Sequence, residues 1–266
     1  MSSVPAVSTA SPSTAIADLK AREAALFGSE FDQQSGVGFE NVVESRDLLI
    51  PRVTILQALS PQLVKSKPEY NPDARPGMIC DTGTGELLAA PLQIVLGFFD
   101  VSYLEWAPRN SGKGLVGQYK VDQSHRTRPD DRGRQITQEG NLIVESAQFY
   151  GVLPEYGNRR VFVPMSSTQR KKAKRWMNLM QAEKRVNPET GEERILPIFN
   201  RAWLLNVVSE NNAEGAWEGW SIAPGPLTVD LPNARAVAGS ILSMRKAFAA
   251  GQLKAAVDEA HTEGGF

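Results

Sequence analysis

The sequence predicts a β-rich α+β domain. Three observations carry that prediction. Short apolar runs with period-two alternation recur along the middle of the chain. Clusters of Gly, Pro, Asn and Asp separate them at close intervals. Beyond residue 38, helical spacing recurs in only two places, Met165–Glu183 and the stretch after Pro232. Strands this short are best satisfied by a closed or half-open antiparallel barrel. The order strand, hairpin, strand, basic loop, strand, helix, strands fits an elaborated OB-like barrel with peripheral helices.

Met1–Thr14 is rich in Ser, Ala, Pro and Thr and is expected to be disordered. Ile16–Phe27 is compatible with an Ala-rich helix, and Gly28–Gly38 reads as a linker. Residues 1–38 are therefore set apart from an OB-like domain over 39–231. Pro51–Leu59 alternates through Val53, Ile55 and Leu59 and reads as a strand. Lys65–Pro76 reads as a loop. Met78–Cys80 and Glu86–Ala89 flank Asp81-Thr82-Gly83-Thr84-Gly85 as a hairpin-like pair. Leu92–Trp106 is the best strand region, with a bulge expected near Gly97 or Asp100. Pro108–Gly117 and Ser124–Glu139 read as polar, basic loops. Leu142–Leu153 and Arg160–Met165 read as strands joined by Pro154–Asn158.

Met165–Glu183 is the stretch around which the rest is read. Ser166 with Gln169 three residues on has the form of a capping box. Ala173, Trp176, Met177 and Met180 make one apolar stripe. Arg170, Lys171, Lys172, Lys174 and Arg175 fall on the opposite side. Trp176, lying in the stripe, is expected to anchor the helix to the barrel. Beyond it, Asn187–Gly191 reads as a turn, and Leu196–Val208, Gly215–Ile222 and Val229–Leu231 as strands. A last helix over 232–257 carries Val237, Ile241, Leu242, Met244, Phe248, Leu253 and Val257. Residues 258–266 form an acidic tail ending in Phe.

The chain has 266 residues, of which 41% are hydrophobic, enough for a real core. Cys80 is the only cysteine, which excludes an intramolecular disulfide and a Cys-rich zinc site and suits a reducing cytoplasm. It sits in a strand and reads as a small core residue. No apolar run approaches a membrane span, and the N-terminus lacks the pattern of a signal peptide. Net charge is −1, yet from Arg109 to Arg175 fourteen Lys or Arg face six Asp or Glu. A basic middle between acidic ends suits local binding of a polyanion.

No metal, cofactor or catalytic constellation is expected. The two histidines, His125 and His261, share no ligand spacing with other candidates. Ser111-Gly112-Lys113-Gly114 lacks the upstream Gly and the following Ser or Thr of a phosphate loop. Asp81-Thr82-Gly83 matches the triplet of aspartic proteases, which would require a homodimer to supply the second carboxylate; as turn formers the same residues need no such role. A solvated helix face accounts for the cations of 170–175 in ordinary terms.

Aromatic residues, however, interleave with cations, the pattern of single-strand binding, in which bases stack and phosphates are neutralised. Tyr103, Trp106 and Tyr119 lie beside polar loops and are the stacking candidates. Phe98, Phe99, Phe162, Phe199 and Trp203 read as core. Arg109, Lys113, Lys120, Arg126, Arg128, Arg132, Arg134, Arg159, Arg160, Arg170, Lys171, Lys174 and Arg175 are the phosphate candidates. In the tail, Asp258, Glu259, Glu263 and Phe266 are candidates for docking on a basic, aromatic-friendly pocket of a partner.

Leu49-Ile50-Pro51-Arg52-Val53-Thr54-Ile55-Leu56-Gln57-Ala58-Leu59-Ser60-Pro61-Gln62, followed by Pro76-Gly77-Met78-Ile79 and Thr82-Gly83-Thr84-Gly85-Glu86, resembles a family of tailed-phage single-stranded DNA-binding proteins. Phe99–Arg109 and Pro164–Trp176 share the resemblance, which covers roughly residues 48–208. The tail is similar to the acidic, Phe-ending tails of bacterial and phage single-strand-binding proteins, though with a shorter acidic run. The resemblance implies an OB-fold and a replication or recombination setting in the host cytoplasm. The expected function is therefore non-enzymatic binding of single-stranded DNA, with replication or recombination enzymes recruited through the tail and a homo-oligomer possible. A virion structural or adaptor protein with a basic protein-contact helix is the alternative, and a dimeric aspartic protease using Asp81 a remote one.

Overall fold

A computed structural model describes residues 49–120, 127–213, 215–250 and 254–255. The chain divides into two compact units, Met1–Asp47 and Leu48–Phe266, and every described residue belongs to the second. The segments read above as disordered, helical and linker over 1–38 lie outside the described residues.

The strands in chain order are β1 Leu49–Ile50, β2 Val53–Ile55, β3 Ile79–Asp81, β4 Leu87–Leu88, β5 Leu92–Trp106, β6 Leu115–Lys120, β7 Arg128–Pro129, β8 Gln135–Ile136, β9 Leu142–Leu153 and β10 Arg159–Ser166. Helix α1, Arg170–Ala182, follows. Then come β11 Lys184–Val186, β12 Glu193–Ile195, β13 Arg201–Asn212, β14 Gly215–Leu227, helix α2 Ala234–Ala249 and β15 Lys254–Ala255. The main sheet runs β14-β13-β5-β9-β8-β7, with β10 also on β9 and β6 also on β5. Its ladders are antiparallel.

Two long strands, β5 and β9, pair from Val95↔Val152 to Trp106↔Leu142 and divide the sheet into a body and an arm. In the body, Leu92–Val95 pairs with β13, and Ser146–Leu153 pairs with β10. In the arm, Ser102–Trp106 pairs with β6, and Leu142 pairs with β8. The body curls into a half-barrel. The small sheet β2-β3-β4 lies across its opening. One side of that sheet joins β10, where the Phe162 amide donates to the Pro51 carbonyl at 3.0 Å. The other side reaches β14 through a single side chain. Gln57 Nε2 donates to the Glu218 carbonyl, and the Glu218 amide donates to Gln57 Oε1, both at 2.9 Å. These bonds satisfy polar groups on the otherwise unpaired edge of β14.

The interior of the half-barrel holds Val53, Ile79, Leu92, Ile94, Leu96, Phe149, Val163, Met165, Trp203 and Leu205, closed by Ala173, Trp176 and Met180 of α1. The outer face holds Val95, Phe98, Tyr150, Val152 and Phe162, covered by Val237, Ile241 and Met244 of α2. Both faces of the sheet are thus buried in the body, which is why β5 begins as a near-continuous apolar run. Cys80 packs with Leu56 and Ala74 in a third, smaller cluster, and burial pushes its thiol up to about 11.

The expected bulge falls at Gly97. Leu96 pairs with Gly151 and Phe98 with Tyr150, leaving Gly97 as the extra residue. A β-carbon on Gly97 would point at α2, 2.6 Å from Met244 Cε, and the freed Gly97 carbonyl accepts a 2.6 Å bond from Arg245 Nη1. Opposite the bulge, a β-carbon on Gly151 would lie 2.5 Å from the Val95 carbonyl oxygen. That contact is backbone and has no rotamer to relieve it. Gly151→Ala should therefore destabilise the domain by about 3 kcal/mol, lowering a calorimetric Tm by roughly 8 °C; an unchanged Tm would show that the two central strands separate freely.

Several expectations fail for identifiable reasons. The Ser166–Gln169 capping box does not form. Ser166 ends β10, a 3-10 turn over Ser167–Gln169 leads into α1, and neither Ser166 nor Gln169 makes a side-chain capping bond. Gln169 instead spends its carbonyl on the Trp220 amide at 3.0 Å, an edge donor of β14 with a stronger need. Leu59 is 59% exposed in a turn, because the alternation of β2 stops at Ile55. β13 begins at Arg201, since Leu196–Asn200 turns after the β11–β12 hairpin. Val229 lies in a 3-10 turn over Thr228–Asp230 and is 77% exposed. Leu242 is solvent-facing while Val237, Ile241 and Met244 are buried, as one 100° step from Ile241 dictates. The polar loops also gain strands: β6 takes 115–120, and β7 and β8 make a hairpin inside 124–139. Leu253 and Val257 lie outside the described residues.

Candidate nucleic-acid interface

The bulge decides what the arm presents. Beyond Gly97 the interior face continues through Phe99, Val101, Tyr103 and Glu105, and the outer face through Phe98, Asp100, Ser102, Leu104 and Trp106. Tyr103 is directly opposite Tyr119 on β6 and Glu145 on β9, so all three share the interior face. The Tyr119 ring folds over Gly117, where a β-carbon would come within 2.6 Å of its hydroxyl oxygen. A hydrogen bond with Glu105 raises the Tyr119 hydroxyl above its ordinary value. Glu105 also accepts from Asn141 Nδ2 at 2.6 Å. The two tyrosines are thus held side by side on a polar support.

Phe99, read from the sequence as core, is 41% exposed on this same face. Its ring lies 5.9 Å from that of Phe149, which stacks on Trp176 at 4.4 Å. The alternation Ile94, Leu96, Phe98 hides this, because the bulge moves Phe98 outward and Phe99 inward. Gly97 within the strand was the available signal. Trp106 goes the other way. It lies on the outer face, opposite Leu115 and Leu142 and sharing that face with Leu104 and Val144. Tyr103, Trp106 and Tyr119 therefore do not share one face; Phe99, Tyr103 and Tyr119 do.

Helix α1 meets this face at its first residue. Arg170 Nη2 bonds Glu145 Oε1, next to Tyr103. Lys174 stands one turn on from Arg170 along the same side. Lys171, Lys174 and Arg175 are exposed and have no ion pair among the described residues. Lys172 differs: it is half-buried, and its Nζ lies 2.7 Å from Glu210 Oε1. Glu210 further accepts from Trp217 Nε1 at 2.9 Å and from Gln169 Nε2 at 3.3 Å. Burial pushes the Glu210 carboxyl up, but bonds from Lys172 and Trp217 hold it below the usual range. Gly219 makes room for this cluster, since a β-carbon there would be 2.3 Å from Glu210 Oε2. The cationic face of α1 thus has three free members, while Arg170 and Lys172 fasten the helix to the sheet.

The remaining candidates divide similarly. Arg159 is engaged by Asp81 at 2.9 Å and Glu86 at 2.6 Å. Asp81 is fully buried, and its Oδ1 also accepts the Gly83 amide at 2.9 Å, so the Asp81-Thr82-Gly83 segment is a turn tied to β10. Arg134 pairs with Asp130 at 2.7 Å within the β7–β8 turn. Arg160 bonds the Ser243 hydroxyl of α2. Lys113, Lys120, Arg128 and Arg132 are exposed on the arm with no ion pair among the described residues. Lys120 and Arg128 fall on its outer face, the first opposite Ser102 and the second opposite Ile136, which pairs with Leu142. Arg126, the Arg109 side chain and the tail residues Asp258, Glu259, Glu263 and Phe266 lie outside the described residues. Among the described residues no cluster of His, Cys, Asp or Glu is arranged to hold a metal ion, and no helix is long and apolar enough to cross a membrane.

The sequence model of one family, the Pam3 phage gp34-like proteins, matches residues 20–249. The chain belongs to that family. The match makes it a phage protein, and it spans the half-barrel, the arm and both helices of this gp34-like chain. No curated protein and no solved structure matches it.

Proposed function

We propose that this gp34-like protein binds single-stranded DNA without a catalytic step. One observation carries the reading. Three aromatic residues on one sheet face, Phe99, Tyr103 and Tyr119, adjoin a helix surface bearing three cations, Lys171, Lys174 and Arg175, that make no ion pair among the described residues. Bases stack on aromatic faces without regard to sequence, each stack worth about 1–3 kcal/mol. Phosphates of the same strand are neutralised by the cations of the helix. The tail residues Asp258, Glu259, Glu263 and Phe266 are proposed to recruit replication or recombination enzymes in the host cytoplasm.

The test is a titration of a fluorescein-labelled oligo-dT by anisotropy at two salt concentrations, with a duplex of equal length as competitor. Preferential binding of the single strand is expected, with log K falling linearly with log salt at about −0.7 per phosphate neutralised. Absence of binding at low salt sinks the reading and favours the virion adaptor, whose basic helix would contact protein instead.

A further inference from the structure

The outer face of the arm is apolar and joins neither core cluster. Trp106 stands at its centre, opposite Leu115 of β6 on one side and Leu142 of β9 on the other, with Ile136 of β8 opposite Leu142. Leu104 and Val144, also opposite one another, continue that face toward the body. All six keep part of their surface open, and none packs into the clusters beneath α1 or α2. On the body, α2 covers this same side of the sheet, and its last turn reaches Phe98, on which Phe248 stacks at 3.9 Å. Beyond that point Arg128 stands opposite Ile136 and Lys120 opposite Ser102, both exposed and without an ion pair among the described residues. The β5 and β9 carboxylates of the arm, Glu105 and Glu145, lie on the interior side. Asp100, on the outer side, is nearer the body, where its carboxylate accepts from the Val101 amide at 2.8 Å.

We infer that this face docks an amphipathic helix of a partner protein, with its apolar stripe over Trp106 and its flanking carboxylates on Lys120 and Arg128. The inference goes beyond the single-strand reading and concerns the opposite face of the sheet. An apolar sheet face is ordinarily buried beneath another element, as α2 buries the body, and a helix with one apolar stripe suits such a surface. A tryptophan set among aliphatic side chains is a common anchor of protein interfaces. Charge selects the occupant. A second copy would bring the same cations and no carboxylate to meet them. A DNA strand would find one ring where it needs a succession of them. An acidic helix uses both the aliphatic floor and the cations at its rim.

The test is anisotropy of two fluorescein-labelled synthetic helices titrated with the full chain. Both carry leucines at helical spacing; one flanks them with glutamates and the other with lysines. The wild type should bind the glutamate helix about tenfold more tightly than the lysine helix. Lys120→Glu with Arg128→Glu should invert that order and leave the Tm unchanged, since both side chains are exposed. Trp106→Ala should weaken the glutamate helix about tenfold; should it lower the Tm, the charge inversion decides alone. Saturating oligo-dT should leave the helix bound, and the doubly reversed variant should keep wild-type affinity for oligo-dT. No preference between the helices, or no inversion, overturns the inference. Displacement of the helix by oligo-dT assigns the face to nucleic acid and overturns it too. A wild-type dimer in sedimentation that Trp106→Ala dissolves assigns the face to a second copy, with the same result. Failure to bind oligo-dT at low salt, with the charge inversion intact, removes the single-strand reading and leaves this one standing.

Discussion

Trp176→Ala should cost the domain about 4 kcal/mol, the upper part of the range for a large ring removed from a core. Trp176 is fully buried, stacks on Phe149 at 4.4 Å and meets Trp203 edge-on at 6.0 Å. It joins the helix to the half-barrel interior between Ala173 and Met180. Its indole N–H is buried without a hydrogen-bond partner among the described residues. Removing that donor while keeping a ring should therefore be mild, and Trp176→Phe is expected to lose only about 1 kcal/mol. Urea denaturation of the two variants separates the terms. If Trp176→Ala keeps wild-type stability and loses only DNA affinity, the helix faces have been assigned the wrong way round.

Reversing two free cations, Lys171→Glu with Lys174→Glu, should lower oligo-dT affinity by about a hundredfold at low salt while leaving the Tm within a degree or two. Both side chains are exposed and make no ion pair among the described residues, so folding has little invested in them. The salt dependence should shallow by about 1.4, two phosphate contacts at 0.7 each. Lys172→Glu is the contrasting variant. It would face Glu210 across the 2.7 Å now spanned by an ion pair and should lower stability before affinity. Equal loss of affinity from both, with both folded, would mean that the helix acts through its net charge alone and not through a particular face.

Much of this architecture is legible in the chain because the signals are local. β5 and β9 carry long apolar runs bounded by turn residues, and both appear as read, Leu92–Trp106 and Leu142–Leu153. The apolar stripe of α1 is equally plain. What escapes is what depends on partners distant in sequence. Lys172 and Arg170 look like Lys171 and Lys174 until Glu210 and Glu145 come alongside them. Arg159 looks free until Asp81 and Glu86 arrive across 78 and 73 residues. Gln169 reads as a helix cap because nothing nearby announces an unpaired amide on β14. The aromatic row is an intermediate case. Its bulge was visible at Gly97, but the consequence, Phe99 and Tyr103 on one face and Trp106 on the other, requires carrying the change of phase through to the end of the strand.

The Gln57 bond to β14 bears on how the barrel is held to size. In a barrel closed by a continuous ladder, strand number and stagger fix the circumference. Here the last gap is spanned by the two hydrogen bonds of one side chain, with Gln169 a second clasp two residues away on the same strand. Each such bond contributes about 1 kcal/mol net, far less than the ladders on either side. The seam is therefore the compliant part of the perimeter. It lies along the strand that borders α1, so a change in girth would be felt there first, without breaking a strand pair elsewhere.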